Sequence, residues 1–275
     1  MKGTAFEKLT WPEVNECVRE DRVVLLPVGQ VEQHGPALPL DTDMVGIVKV
    51  CELASQKEPG LFVVMPPVYY GYSEHDRDFP GTISIKHDHL IGYCYDICES
   101  LVRHGFKRVL LLNGHGGNRP ILDIVSRMVV AYTEALAATV NIWNLSRDEM
   151  RSRRESAFPG GMSHACEYEA SIYLACGREY VKQGLLAKEM GEGPTLRWFW
   201  GDLAEDSPVK TMDKSGRITR SGVCGDPTFA TFEKGEAFIS ASVENLIDLG
   251  KEFRSLAIGP RVSHILPDAP ESKSE

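Results

Sequence analysis

Residues 108–118 read RVLLLNGHGGN: a short apolar run that passes without a break into a turn of glycine, histidine and asparagine. An apolar run of this length, rich in leucine and valine, suits a strand buried on both faces, and a helical pattern follows it through about residue 135. Outward from this unit the same grammar recurs. Residues 22–28 (RVVLLPV) and 61–68 (LFVVMPPV) read as two earlier strands, and 139–145 as a fourth. Between them, Met44, Val45, Ile47, Val48, Val50, Leu53 and Ala54 form a helical stripe, with Thr42 or Asp43 suited to the N-cap. Residues 89–104 form an amphipathic helix stopped by Gly105. Strand, loop and helix in alternation imply right-handed crossovers and hence an α/β fold. We expect an α/β/α layered sandwich with a mainly parallel central sheet. A helix at 165–175, an irregular stretch at about 191–225 and a closing helix near 234–253 complete the reading. With no internal repeat and no linker, one domain is expected over 1–266, followed by a disordered tail at 267–275 (PDAPESKSE).

Composition narrows the function classes. The chain has 275 residues, 43% hydrophobic and 25% charged, enough to bury a large core. Thirty-nine acidic against 30 basic residues give a net charge of −9, which repels nucleic acid and anionic lipid. Arg147, Arg151, Arg153 and Arg154 form the one basic cluster, interleaved with Asp148, Glu149 and Glu155 as on a solvated helix face. The first residues lack the apolar core of a secretion signal and no stretch is long enough to span a membrane, so a cytoplasmic protein is expected. Seven scattered cysteines without a CxxC pair read as reduced thiols.

The candidate chemistry lies where ligands bind in such sheets, beyond the carboxyl ends of the strands. Glu32 and His34, two apart in extended chain, point the same way. Asp43 can bridge two cations through its two oxygens, and such O/N donor sets suit Zn²⁺, Mn²⁺ or Fe²⁺. Glycines around His115 let the chain turn tightly and leave the imidazole at the strand end. A lone histidine is more often a hydrogen-bonded structural residue; a second histidine and two carboxylates on the same sheet edge reverse that expectation. In residues 162–171 (MSHACEYEAS), Glu167 and Glu169 lie about 200° apart on a helix, so one of them faces the site. Glu169 is preferred to Glu167 as the metal ligand, with Glu167 the alternative ligand or a proton donor, and His164 is taken as a proton donor or substrate contact.

These segments resemble the creatininase-like amidohydrolases. The resemblance is carried by PVGQVEQHGPALPLDTD (27–43), SEHDRDFPGTISI (73–85), NGHGGN (113–118), SHACEYEAS (163–171) and GVCGDPTFATFEKGE (222–236), and so covers most of the chain. It implies a single α/β domain, often a homohexamer, with a two-metal site for zinc, manganese or iron. Carried over residue by residue, it puts the Glu-x-His pair on Glu32 and His34, the bridging aspartate on Asp43 and the glycine-flanked histidine on His115. A later His and Glu fall on His164 and Glu169, with Cys166 and Ala170 departing from the pattern. Creatininases themselves carry a metal-bound glutamate at the place of Gly117, so the branch that resembles this chain is a non-creatininase one.

The implied function is hydrolysis of a small molecule at a carbonyl, most simply a C–N bond of a cyclic amide or formamide, by a water activated by two divalent ions. Cleavage of a C–C bond in a cyclic ketone is the rival from the same chemistry, and a non-catalytic metal-binding protein the rival from another class. Gly117 and Asn118 of the glycine-rich turn, Glu74 and His75 of the long loop, and Trp143 are the candidate substrate contacts. Trp143 with Phe158, Trp198 and Trp200 either lines an aromatic pocket or belongs to core and interface.

Overall fold

The computed structural model of the protein describes residues 4–193, 196–262 and 264. Four strands, β1 (Val23–Val28), β2 (Phe62–Val64), β3 (Arg108–Asn113) and β4 (Leu136–Asn141), form one parallel sheet in the order β2-β1-β3-β4. Their side chains divide by alternation. Val23, Leu25, Leu110 and Leu112 enter one core, and Val24, Leu26, Val109 and Leu111 enter the other. A strand apolar at every position is what a sheet covered on both faces requires. One face is covered by α1 (Trp11–Arg19), α3 (His87–Arg103) and α4 (Arg119–Tyr132). The other is covered by α2 (Thr42–Lys57), α7 (Glu167–Gly177) and α9 (Phe232–Ser255), with the short helices α5 (Ile142–Leu145) and α6 (Arg147–Arg153) beside them.

Two expected strands are shorter than their apolar runs. The 61–68 run pairs only over Phe62–Val64, because Pro66 and Pro67 supply no amide to a ladder; Val68 returns through a single bridge to Val28. The fourth strand begins and ends earlier than 139–145. Asn113 donates to Asn141 at 2.8 Å where the two strands finish level, and residues 142–145 wind into α5.

The arginine cluster spends its charge within the molecule. Arg147 pairs with Asp206, Arg151 with Glu205 and Arg154 with Asp202, tying α6 and its C-cap to the irregular segment. Within that segment α8 (Ser215–Ile218) is a single turn. Among the described residues no helix is long and apolar enough to cross a membrane, and all seven cysteines are free. The expected tail at 267–275 lies outside the described residues.

Candidate metal centre

β1 and β3 end in register, Val28 opposite Asn113, so the loops that leave them share one edge of the sheet. The loop after β1 brings in Glu32, whose carboxylate accepts from the Ser73 hydroxyl, and His34, whose Nδ1 lies 3.3 Å from the Glu32 carbonyl oxygen. This contact turns His34 Nε2 inward. The first turn of α2 carries Asp43, where the helix dipole favours a carboxylate. Neither Thr42 nor Asp43 caps the helix: Asp41 is the N-cap, and the Thr42 hydroxyl donates back to the Pro39 carbonyl. The Asp43 carboxylate is thereby free for the site. Helix and strand end approach closely because residue 114 is glycine; a Cβ there would stand 2.1 Å from the Asp43 carbonyl oxygen. His115 follows, with Nε2 at 3.1 Å from the Tyr72 carbonyl oxygen and Nδ1 facing the carboxylates.

From the opposite side comes α7. Ala165 takes a left-handed conformation (φ 51°) between His164 and the helix, a strained turn of the kind that concentrates at functional sites. Glu169, in the first turn, accepts from the Cys166 amide and reaches within 4.0 Å of His34 Nε2.

The two Asp43 oxygens face different partners. Oδ1 lies 3.3 Å from His34 Nε2, and Oδ2 lies 2.9 Å from His115 Nδ1. Beyond His34 stands Glu169, and beyond His115 stands Glu32, its Oε1 3.1 Å from His115 Nδ1. Ligand atoms of His34, Asp43 and Glu169 lie within 4.8 Å of one another, as do those of Glu32, His75 and His115, and Glu32 and His34 also form such a group with His164 at the rim. Glu32 Oε1, His34 Nε2 and Asp43 Oδ2 are buried and, despite these close approaches, none makes an aligned hydrogen bond. Buried polar atoms normally find partners, so three such atoms in one small space mark a place built for something else. Their chemistry, oxygen and imidazole nitrogen only, is that of a divalent-cation site.

Electrostatics point the same way. Burial opposes charge on His34, yet Asp43, Glu169 and Glu32 lift its pKa to about 10. His115 is likewise raised against its burial by Glu32 and Asp43. Burial also opposes charge on Asp43, but His34 and His115 hold it well below the carboxylate range. Glu169 is raised by its burial. His75 is lowered by burial and by the neighbouring His115.

The other expected residues divide. His164 stands at the rim, its ring 4.4 Å from that of His34, its Nε2 3.0 Å from the Gln33 carbonyl oxygen and its Nδ1 3.8 Å from Glu32 Oε1. A two-way bridge to Cys224 fixes its backbone, which accounts for the 222–228 segment. Glu167 is turned away from the cluster. Its carboxylate meets Lys234 Nζ at 2.5 Å and accepts from the Ser156 amide at 2.9 Å, so a proton-donor role is corrected to a buried structural ion pair. Asn118 is also corrected: its amide group bonds the Tyr72 amide and the Gly29 carbonyl, clamping two loops and leaving little for a substrate. Glu74 pairs with Arg77 toward the surface, and Trp143, 3% exposed, packs in the core under Arg119 rather than lining an open pocket. Gly117 sits buried against the Tyr72 carbonyl. His75 stacks on His115 with ring centres 5.6 Å apart.

Three residues escaped the sequence reading. Gln33 donates to Asp76 Oδ1 at 3.0 Å and to the Gly222 carbonyl at 3.1 Å, joining three loops under the site. Asp76 is buried against His75, and Lys234 neutralises Glu167. Only Lys234 carried a signal, a lysine in the first turn of a helix where a cation is disfavoured.

Comparison with known proteins places this geometry. Over 238 residues the chain is 33% identical to the mycofactocin precursor peptide peptidase of Mycolicibacterium smegmatis, covering 84% of this chain and 85% of that one. It is 27% identical over 184 residues to the 3-dehydro-scyllo-inosose hydrolase of Thermotoga maritima, covering 66% of this chain and 58% of that protein's length. A solved mutant creatininase complexed with creatine superposes with a TM-score of 0.77 at 26% identity, over 93% of this chain and 100% of the other. Similar creatininase structures include a Zn-Zn type and a Mn form. Residues 7–249 match the creatininase (creatinine amidohydrolase) family, and with the parallel sheet and the buried His–carboxylate cluster beyond its strand ends, the chain belongs to that family of hydrolases.

Proposed function

We propose that the protein is a dinuclear-metal hydrolase that cuts a C–N bond of a small amide or formamide. The observation that carries this reading is the division of Asp43: one oxygen toward His34 and Glu169, the other toward His115 and Glu32. A single ion would need one such group. Two groups sharing one carboxylate fit two ions, with Glu32, Asp43 and His115 holding one and His34, Asp43 and Glu169 the other. Zinc, manganese and ferrous iron all suit these donors. Divalent cations bound there would supply the Lewis acidity that polarises a carbonyl and makes water nucleophilic near neutral pH.

The chain's own residues do the rest. His34 and His115 are each braced through their second nitrogen by a backbone carbonyl, which aims the first at the site. His164, partly exposed at the rim and held by the Gln33 carbonyl, is placed to hand a proton to the departing nitrogen. Relatives named as an amidohydrolase and a peptidase support the C–N bond. Free cysteines suit a reducing cytoplasm. Exposed Trp198, Phe158 and Leu196 offer apolar surface to like subunits, in keeping with a homo-oligomer, a hexamer by the family resemblance.

Asp43→Asn is the test. Removal of the shared carboxylate is expected to abolish amide hydrolysis and to lower the metal content found by elemental analysis; retention of both ions would refute the bridging role.

A further inference from the structure

We propose that His75 is itself a metal ligand, joining Glu32 and His115 around one of the two ions; this rests on the dinuclear reading above. His75 lies in the loop after β2, remote in sequence from the other ligands, yet its ring lies almost parallel to that of His115 at an interplanar angle of 17°. Its ligand atom, with those of Glu32 and His115, falls inside a 4.8 Å span. Zinc or manganese bound at about 2.0–2.2 Å from each donor can gather atoms so spaced with small ring movements.

The two nitrogens of His75 are treated differently by the protein. Nε2 lies 3.2 Å from Asp76 Oδ2, while Nδ1 is buried without any hydrogen-bond partner. Glu32 Oε1, in the same cluster, is also unpartnered. A histidine held by a carboxylate on one nitrogen and bare on the other is the arrangement by which proteins orient an imidazole toward a metal. Asp76 is in turn fixed by Gln33, so the brace is itself braced. A histidine that only packed or bonded would be expected to satisfy both nitrogens or expose one.

The neighbouring turn leaves the role open to His75. Gly117 supplies no donor, and it could not acquire a side chain unaided: a Cβ there would meet the Tyr72 carbonyl oxygen at 2.3 Å and His115 Nε2 at 2.6 Å. With His75 the Glu32 half has four protein donors, counting Asp43 Oδ2. The other half has His34, Asp43 and Glu169, so the two ions would be held unequally.

The experiment compares wild type with His75→Ala and Asp76→Asn, each stripped by chelator and titrated with Zn²⁺ and with Co²⁺, reading stoichiometry by calorimetry and ligand field by visible absorption. Wild type is expected to take two ions per subunit. His75→Ala is expected to bind one ion normally and the second at least tenfold more weakly, with a changed Co²⁺ spectrum that added imidazole restores. Asp76→Asn, which keeps the ring, is expected to weaken the same ion by about 10- to 100-fold. It stands in if His75→Ala fails to fold by circular dichroism. Two ions at wild-type affinity and an unchanged spectrum in both variants would overturn the assignment and leave the dinuclear reading intact. Fewer than two ions in wild type would overturn both.

Discussion

His164 differs from His34 and His115, the two buried histidines of the site, in being partly open and in lying 3.8 Å from the nearest carboxylate oxygen, Glu32 Oε1, where they stand 3.3 and 2.9 Å from Asp43. A group that exchanges protons with substrate needs access and a place outside the carboxylate cluster. His164→Gln is therefore expected to lower kcat by about 10²–10⁴-fold while both ions remain, as steady-state kinetics with an amide substrate and elemental analysis on the same sample would show. Loss of metal in that variant would make His164 a ligand instead. Single residues were legible to different degrees. Glu32 and His34 could be paired because extended chain repeats every second residue, whereas the angle between Glu167 and Glu169 on a helix showed only that one of them faces the site, not which. Asn118 could not be read, since a buried amide serves loop and ligand equally well, and only its partners at Tyr72 and Gly29 decide.

Elements meet at the site through their first turns. α2 offers Asp43 and α7 offers Glu169, both where a helix dipole favours negative charge. α9 answers α7 from below with Lys234, whose Nζ reaches Glu167, Glu155 and the Phe229 carbonyl. Such a pair matters chiefly when half of it is removed. Lys234→Met should destabilise the fold by about 3–5 kcal/mol in urea denaturation, because Glu167 would be left charged and buried. Glu167→Gln is expected to lower the melting temperature yet leave metal content and kcat/KM of the folded protein unchanged; a selective loss of turnover would restore Glu167 to catalysis. The neighbouring arginines illustrate how a charge pattern is read at this scale. Their interleaving with acids indicated a non-binding face, while the partners at Asp202, Glu205 and Asp206 lie some fifty to sixty residues on.

For the molecule as a whole, the metal-free site is a proton store. With His34 lifted to about 10 and His115 raised by the same carboxylates, the metal-free site favours protonated imidazoles, and an imidazole must lose its proton to bind a cation. Loading chelated protein with Zn²⁺ near pH 7 in weak buffer is expected to release protons, and affinity should rise with pH up to about 10, where His34 loses its proton. An indicator dye measures the first and calorimetry the second; uptake without proton release would contradict the charge state. The sign for stability follows from the same groups. A raised histidine pKa contributes stability that is present below the unfolded value of about 6.5 and is lost as pH rises through about 10, so the chelated protein should melt lower in alkali. By itself the sequence determined the parallel sheet covered on both faces, and it pointed to the strand ends with Glu32, His34, Asp43, His115 and Glu169 as candidate donors, because apolar alternation, helix period and donor type are local properties of a chain. Only the tertiary structure decided that Asp43 divides its oxygens between two groups, that Lys234 claims Glu167 and that His75, against Asp76, stands beside Glu32 and His115. Those outcomes depend on distances between loops far apart in sequence, set by how the helices pack on the sheet.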